Sequence, residues 1–341
     1  PDWVIDGEMQ VNVALNRELR DSKYPFSRLY GKDVNTLIFP CLSAANSSYK
    51  MLQALSSDTE IIGPIQMGLN KPIHFIDFET STVVLPFTKG RNPYESTAFQ
   101  YSHHQLDADG SLSHTEWIST DRVFPNFDFV RALKCDLEGD SGTIFRYSHH
   151  ENSVLNQIAE QLRFSQESDR EKLISFIQSI THGTKDDRYG ERDMADLCEV
   201  VVRYYYAPSM KGSNSIKVVL PAVLRSRELQ KLYEKPYREY VQLPNFAEFD
   251  FSLINYIDEA HTQVGNPYKY LPTIGAEFLE DGETTESEDR INNGGLANAN
   301  YAKLQYDGLS DDEKLKLKNA LLRYCELDTM AMVLIYKFFK L

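Results

Sequence analysis

The alternation of apolar and polar residues divides the chain into a short first part and a longer second part. In the first part, apolar residues recur at helical spacing over residues 8–21, which predicts one helix. In the second part, the apolar run 73–80 predicts a buried strand. The apolar runs 98–106 and 112–118 flank Asp107-Ala-Asp-Gly110, whose residues favour a turn, so these runs predict a β-hairpin.

Helical and strand-like patterns then alternate along the second part. Residues 119–136 contain helical candidates, and residues 143–148 have the pattern of a short strand. The apolar residues of 151–163 and of 172–180 recur at the spacing of one helix face, which predicts two amphipathic helices. Residues 213–224 predict a further helix.

The end of the chain has the clearest helix signal. Ser310 and Glu313 stand at the spacing of a capping box, and apolar residues recur from there to the last residue. Strands that alternate with helices around one core predict an α/β fold, with a mixed sheet flanked by helices. We therefore expect one α/β domain over residues 71–341, with a helical or loop insertion near 225–295. Residues 1–70 are expected to be an N-terminal extension or a linker from a preceding domain.

Composition and charge restrict the class of protein. The 341 residues are 42% hydrophobic and 25% charged, as in soluble globular proteins, and no stretch approaches the ~18 apolar residues of a membrane helix. The net charge of −14 argues against a protein that coats nucleic acid through its overall charge. The four cysteines are scattered without a Cys-x-x-Cys pair, so a cytoplasmic protein with reduced thiols is expected. Because the chain begins with Pro1 rather than Met, we expect it to be a fragment of a longer protein.

The predicted strand over residues 73–80 carries two acids near its end. Side chains alternate between the faces of a strand, so Asp77 and Glu79 are expected on one face and Ile76 and Phe78 on the other. Two adjacent buried carboxylates repel each other unless a positive charge lies between them, and a divalent metal ion is the usual partner. The alternative is a strand end whose acids face solvent or cap the next element.

Further acids follow or interrupt other apolar segments. Glu151 comes after the strand 143–148 and opens the next helix, where a first-turn acid also interacts favourably with the helix dipole. Asp328 lies within a largely apolar stretch of the C-terminal helix. Tyr324 precedes it by four residues, so both side chains project from the same helix face. A simple hydrogen bond along that face is the alternative to a shared chemical role.

The order of these residues resembles that of a known family. Phe75-Ile-Asp-Phe-Glu-Thr80, then Glu151 after a strand, then Tyr324-x-x-x-Asp328 resemble the motifs of the tyrosine subgroup of the DEDD 3′–5′ exonucleases, which have an RNase H-like fold. Within that superfamily, Met210-Lys-Gly-Ser-Asn-Ser-Ile-Lys-Val-Val-Leu-Pro221 resembles the characteristic sequence of a bacterial family of domains of unknown function. Its members are often preceded by a Cas4-like nuclease domain, so the resemblance implies such a domain upstream.

The resemblance also implies a role for each residue of the motifs. It makes Asp77, Glu79 and Asp328 metal ligands, and it makes Tyr324 the group that positions the attacking water. Glu151 stands where the wider superfamily usually has Asp. Its longer side chain could reach a second metal directly or through water, or that metal could be weakly held.

The implied reaction is hydrolysis of a phosphodiester bond at the end of DNA or RNA. Two Mg²⁺ or Mn²⁺ ions ~4 Å apart would activate water and stabilise the leaving 3′-oxygen. Such hard cations prefer carboxylate oxygens. We therefore expect a metal-dependent 3′–5′ exonuclease. The alternatives are a nucleic-acid-binding module of the same fold with weak or no turnover, and a phosphodiesterase of short oligonucleotides.

Other residues are candidates for substrate binding. Lys211, Ser213, Ser215 and Lys217 stand at a predicted helix start, where ammonium charge and backbone N–H groups could hold a phosphate. An ordinary helix cap explains the serines equally well. His150 could bind metal or phosphate, although histidines at strand ends are more often structural.

Overall fold

The chain divides into two compact units, Pro1–Met67 and Gly68–Leu341. The computed structural model describes residues 4–39, 48, 71–183, 188–241, 245–246, 251–258, 263–271, 294–305 and 308–341. Within these ranges, no helix combines the length and the apolar character needed to cross a lipid bilayer.

In the first unit, two short helices replace the single helix that the sequence predicts over residues 8–21. Helix α1 is Val11–Leu15, and helix α2 is Arg17–Lys23. Asn16 between them has an extended backbone, and its side chain accepts a 2.9 Å hydrogen bond from the backbone N–H of Leu19. The prediction of one helix is wrong because Asn16 ends the first helix and caps the second.

The second unit is built on a five-stranded sheet with the order β3-β2-β1-β4-β5. The strands are β1 Ile73–Ser81, β2 Thr97–Leu106, β3 Leu112–Ile118, β4 Thr143–Arg146 and β5 Ala195–Asp196. β1 is antiparallel to β2 and parallel to β4, whereas β2 and β3 form the predicted antiparallel hairpin. β5 pairs with β4 in parallel, so β1 lies at the centre of a mixed sheet.

Helices flank this sheet and complete the predicted α/β fold, which is confirmed. The described helices of the second unit are α3 Asn126–Leu137, α4 His150–Arg163, α5 Arg170–Ile180, α6 Leu197–Tyr204, α7 Ile216–Val223, α8 Arg227–Leu232, α9 Gly294–Leu304 and α10 Asp311–Lys340. The predicted capping box is present at the start of α10, where Ser310 and Glu313 exchange side chain–backbone hydrogen bonds.

The buried residues of β1 belong to two different apolar cores. Phe75 packs with apolar residues of α7, α8 and α10. Ile76 and Phe78 pack with apolar residues of α3, α4 and α5. Because successive side chains of a strand point to opposite faces, Asp77 and Glu79 share the face of Phe75, next to α10. The predicted separation of the two acids from Ile76 and Phe78 is confirmed.

The strand predicted over residues 143–148 ends earlier than expected. β4 stops at Arg146, and Ser148 adopts a left-handed φ of 74°. This conformation is rare for a residue with a Cβ atom and turns the chain from the strand into α4.

The helix predicted over residues 213–224 begins later than expected, at Ile216. Ser213 Oγ accepts a 3.3 Å hydrogen bond from the backbone N–H of Ser215, which stabilises a local turn instead of the first helical turn.

The predicted insertion near residues 225–295 contains α8 and two 3-10 turns, Tyr237–Glu239 and Pro267–Tyr270. Residues 272–293 of that region lie outside the described residues. Tyr268, in the second of these turns, belongs to the same apolar core as the buried residues of α10.

Candidate metal centre

Strand β1 and helix α10 bring three potential metal ligands together. Asp77 and Glu79 come from β1, and Cys325 comes from α10. One potential ligand atom of each residue lies within 4.8 Å of those of the other two. The Cys325 thiol lies 3.6 Å from Asp77 Oδ2, a distance suited to a weak S–H hydrogen bond.

Helix α10 also contributes Tyr324 and Asp328 to this site. Both side chains are buried, with exposed fractions of 4% and 5%. The Asp328 carboxylate raises the pKa of both Asp77 and Glu79, on top of the effect of burial, so it lies within electrostatic range of both acids. The structure therefore brings the first and last motifs of the sequence analysis to one place.

The turn between β4 and α4 positions a fourth carboxylate, that of Glu151. β4 runs parallel to β1 beside it, so its carboxyl end opens at the same edge of the sheet as the end of β1. Arg146 at the end of β4 forms a 2.8 Å ion pair with Asp196, which also accepts a 2.9 Å hydrogen bond from the backbone N–H of Ser148. These contacts hold the turn, and Glu151 follows it in the first turn of α4.

The Glu151 carboxylate has an unmatched oxygen. The residue is 1% exposed, and among the described residues its Oε2 atom has no hydrogen-bond partner. A buried carboxylate oxygen without a donor is unfavourable unless a cation or a proton compensates its charge. This oxygen fits a bound cation.

Burial raises the pKa values of all four carboxyl groups, and repulsion by neighbouring carboxylates of the site adds to the effect on Asp77 and Glu79. Burial, followed by the charges of Asp328 and Glu151, raises the pKa of Glu79 to about 8. Burial raises the pKa of Glu151 to about 8 and that of Asp77 well above its usual range, with the neighbouring carboxylates adding to the effect on Asp77. Burial also raises the pKa of Asp328. Such a set of oxygen donors fits a hard divalent cation, which would compensate the repulsion.

Two further polar side chains, Lys217 and Tyr268, contact the site. The Lys217 ammonium donates a hydrogen bond to the Tyr324 hydroxyl, and its Nζ atom lies 4.5 Å from the centroid of the Tyr324 ring. The fully buried Tyr268 hydroxyl donates a hydrogen bond to Asp328 Oδ1. The Lys217 charge and the Tyr268 hydrogen bond both oppose the effect of burial on the pKa of Asp328.

Tyr268 and Cys325 were not predicted as site residues from the sequence. Tyr268 lies in the 3-10 turn within the predicted insertion, where no periodic pattern marks individual residues. Cys325 is next to Tyr324, and that adjacency was the one available signal. Lys217 was predicted as a phosphate ligand, and the structure places it against Tyr324.

The remaining predicted substrate-binding residues are on the surface. Lys211, Ser213 and Ser215 are exposed on the loop before α7, and Ser215 makes no side-chain cap hydrogen bond. His150 is the exposed first residue of α4, and its Nε2 atom lies 3.3 Å from Thr80 Oγ1 near the end of β1. None of these four residues has a described contact with the carboxylates.

Glu326 belongs to a separate polar network. Potential ligand atoms of His114, Glu116 and Glu326 lie within 4.8 Å of one another. The Asn245 side-chain amide donates hydrogen bonds to Glu116 at 2.5 Å and to Glu326 at 2.8 Å. This amide satisfies one oxygen of each carboxyl group, whereas the second oxygen of Glu326, Oε1, has no hydrogen-bond partner among the described residues.

Two families match parts of the chain, and their matches overlap over residues 74–81, which are all of β1 except Ile73. Residues 74–215 match a domain of unknown function (DUF2779). This match contains Asp77, Glu79 and Glu151, and it is consistent with the bacterial family indicated by the motif at 210–221. Residues 1–81 match the phosphate acetyl/butaryl transferase family. That family is different from the Cas4-like nuclease domain that the resemblance implied upstream.

Curated relatives match only a short stretch. The NADP-dependent malic enzyme of Salmonella typhimurium is 41% identical over 76 residues, which are 22% of this chain and 10% of that enzyme. The phosphate acetyltransferase of Treponema pallidum is 44% identical over 72 residues, which are 21% of each protein. The chain thus spans about a tenth to about a fifth of the length of these relatives. No solved structure matches the chain significantly.

Proposed function

We propose that the second unit is a metal-dependent nuclease that hydrolyses phosphodiester bonds at the ends of DNA or RNA, with 3′–5′ polarity. The observation that carries the proposal is the convergence of buried carboxylates from three elements distant in sequence: β1, α4 and α10. Burying several acids together is unfavourable unless cations bind them. The order of the motifs, which resembles that of the DEDD exonucleases, supports the same function.

In this proposal, the carboxylates hold divalent cations, Mg²⁺ or Mn²⁺. Asp77, Glu79 and Asp328 are the principal ligands, and Glu151 holds a second cation directly or through water. When bound, two such cations activate a water molecule and stabilise the leaving 3′-oxygen. The Cys325 thiol and the Tyr268 hydroxyl each contact one ligand carboxylate and so orient it, as partners of metal ligands commonly do.

Tyr324 acts as a hydrogen-bond donor in the proposed reaction. Its hydroxyl oxygen accepts a hydrogen bond from Lys217, so its own hydrogen remains available for water or a phosphate oxygen. Burial and the neighbouring carboxylates raise the pKa of Tyr324 far above its usual range, so the hydroxyl stays protonated at neutral pH. It therefore positions the attacking water without accepting a proton from it.

Cleavage of end-labelled oligonucleotides with Mg²⁺ or Mn²⁺ tests this function. A 5′-label should give a ladder of shortened products, and a 3′-label should appear at once in mononucleotides. Asp77→Asn and Asp328→Asn keep the side-chain shapes but remove charge, and should reduce the rate at least about a hundredfold. Asp109→Asn is the matched control, because Asp109 is an exposed acid of the β2–β3 turn.

The outcomes separate the proposal from its alternatives. Full activity of Asp77→Asn would refute the metal mechanism. A wild-type protein that takes up Mn²⁺ and binds oligonucleotides without cleaving them would be the binding module. Cleavage restricted to oligonucleotides of a few residues would identify a phosphodiesterase of short substrates.

A further inference from the structure

Strand β3 and helix α10 hold a second group of potential metal ligands, apart from the carboxylate centre. His114 and Glu116 stand two positions apart on β3, so their side chains point to the same face of the sheet. Glu326 comes from α10, and one potential ligand atom of each of the three residues lies within 4.8 Å of those of the other two. His114 Nε2 is 4.0 Å from Glu116 Oε2. The donor set is therefore one imidazole and two carboxylates.

The pairing of the strands separates this group from the carboxylate centre. Asp77 of β1 is opposite Ser102 of β2, and Ser102 is opposite Glu116 of β3. Neighbouring strands are about 4.8 Å apart, so the backbones at Asp77 and Glu116 are about 10 Å apart. Helix α10 contributes to both places, since Cys325 contacts Asp77 and the next residue, Glu326, belongs to the second group. The two groups are separate sites on one face of the sheet.

The Glu326 carboxylate is fully buried but only partly hydrogen-bonded. Its exposed fraction is 0%, and its Oε1 atom has no hydrogen-bond partner among the described residues. The Tyr237 hydroxyl lies near this carboxylate, but its single hydrogen can be donated to His104 Nε2, which is 3.1 Å away. A buried carboxylate oxygen without a donor is unfavourable unless a cation or a proton compensates its charge. A cation between β3 and α10 would compensate it.

The Asn245 side chain marks the position that such a cation would take. Its Nδ2 atom is 2.5 Å from Glu116 Oε2 and 2.8 Å from Glu326 Oε2, so the two carboxylates already converge on one point. Zinc binds carboxylate oxygens at about 2.0–2.2 Å, so the carboxylates need to close only slightly around an ion at that point. The ion would displace the amide and replace two hydrogen bonds from a neutral donor with two bonds to a full opposite charge. The Asn245 backbone N–H also donates to Glu326 Oε2, at 3.1 Å, and this contact does not depend on the amide.

The His114 imidazole is available as a ligand. Burial lowers the pKa of His114 to about 3, so the ring is neutral at pH 7 and one of its nitrogens carries a lone pair. Ser102 Oγ lies 2.9 Å from Nε2 and is its hydrogen-bond partner. Ser102 Oγ is also 2.6 Å from Thr329 Oγ1, so it keeps a hydrogen bond when Nε2 binds a cation.

We propose that His114, Glu116 and Glu326 bind a divalent transition-metal cation, represented by Zn²⁺, that joins β3 to α10. An imidazole ligand favours Zn²⁺ over Mg²⁺, and two carboxylates balance the charge of one such ion. The Glu116 side chain is 25% exposed, against 2% for that of His114, which leaves a path for the ion from solvent. The role of this ion is structural, and the site does not depend on the proposed nuclease function.

X-ray absorption at the zinc edge tests the proposal on the full chain, prepared without a histidine tag and loaded with Zn²⁺. An imidazole ligand gives a characteristic multiple-scattering pattern, which the ligands of the carboxylate centre do not give. The wild-type protein should show this pattern, and His114→Gln should lose it. Asp77→Asn should keep it, because Asp77 belongs to the other centre. Absence of the pattern in the wild-type protein overturns the proposal, whether or not the variants fold.

Titration calorimetry with Zn²⁺ gives a second readout. His114→Gln and Glu326→Gln should each bind one Zn²⁺ fewer than wild type, or bind it at least about tenfold more weakly. Asp312→Asn is the matched control on α10, because the Asp312 side chain is 72% exposed and its variant should bind Zn²⁺ as wild type does. Full Zn²⁺ binding by folded His114→Gln and Glu326→Gln proteins overturns the proposal and leaves the nuclease proposal standing.

Discussion

Replacing Glu151 with Gln should change the stability of the protein in opposite directions without and with metal. The side chain is 1% exposed, and its charge reaches Asp77 and Glu79. Without metal, the neutral amide removes the free-energy cost of protonating the buried carboxyl group, which is ionised in the unfolded chain at neutral pH. With metal, the carboxylate is the favourable group, and the amide removes a ligand.

The magnitude for the metal-free protein follows from the pKa of Glu151, which burial raises from 4.5 to about 8. When the pKa of a carboxyl group is higher in the folded than in the unfolded protein, the group contributes its full stabilisation at pH values below its pKa in the unfolded state. This contribution is lost as the pH rises through its pKa in the folded state. The free energy of unfolding falls by about 1.4 kcal/mol for each pH unit above 4.5, so the loss at about pH 7 is up to about 3 kcal/mol. Because 1 kcal/mol shifts the Tm of a domain of this size by about 2–4 °C, metal-free Glu151→Gln should melt up to about 6–12 °C higher than wild type.

Thermal unfolding followed by circular dichroism, in EDTA and in excess Mn²⁺, measures both effects. Glu151→Gln should have the higher Tm in EDTA and the smaller increase in Tm on addition of Mn²⁺. Glu160→Gln is the matched control on the same helix, because the Glu160 side chain is 57% exposed and its ion pair with Arg163 contributes at most about 1 kcal/mol. A lower Tm of Glu151→Gln in EDTA would refute the charge argument. A wild-type response to Mn²⁺ would show that Glu151 holds no cation.

Three further predictions follow from the same contacts. Tyr268→Phe removes a buried donor to a carboxylate, so the free energy of unfolding in urea should fall by about 1–3 kcal/mol; an unchanged value contradicts the importance of this hydrogen bond. Mn²⁺ must displace protons from Glu79 and Glu151, whose pKa values are both about 8, so affinity measured by calorimetry should rise up to about tenfold per pH unit for each proton released between about pH 6 and about pH 8. Affinity that is independent of pH would contradict the ligand set. Asp196→Asn removes the ion pair at the end of β4 and should weaken Mn²⁺ binding about 10–100-fold, whereas unchanged affinity would exclude a role in positioning Glu151.

Part of the candidate site could be predicted because some of its residues are acids that stand within apolar segments. Acids within apolar runs, such as Asp77 and Asp328, are unfavourable unless something compensates their charge, so their positions alone suggest chemistry. Tyr268 and Cys325 do not stand out in the same way, because tyrosine and cysteine are common in partly or fully apolar surroundings. They became visible only when the structure showed their contacts with the two aspartates.

Some boundaries were missed for a different physical reason. Apolar periodicity records which face of an element is buried, and it continues through residues whose backbone breaks the element. Asn16 divides a predicted helix by capping the second half, and Ser148 ends a predicted strand through its left-handed φ. Both effects depend on the conformation of one residue, which the pattern of neighbouring side chains does not report.

The sequence by itself determined the α/β class, the buried strand with its two acids on one face, and the capped C-terminal helix, since these depend on local periodicity and local hydrogen bonds. The tertiary structure alone decided which distant residues meet. Cys325 and Asp77 are in contact although they lie 248 positions apart, and Lys217 contacts Tyr324 across 107 positions. Such contacts depend on the order of the strands and on the packing of helices against them. Nothing in the local pattern of either segment specifies them.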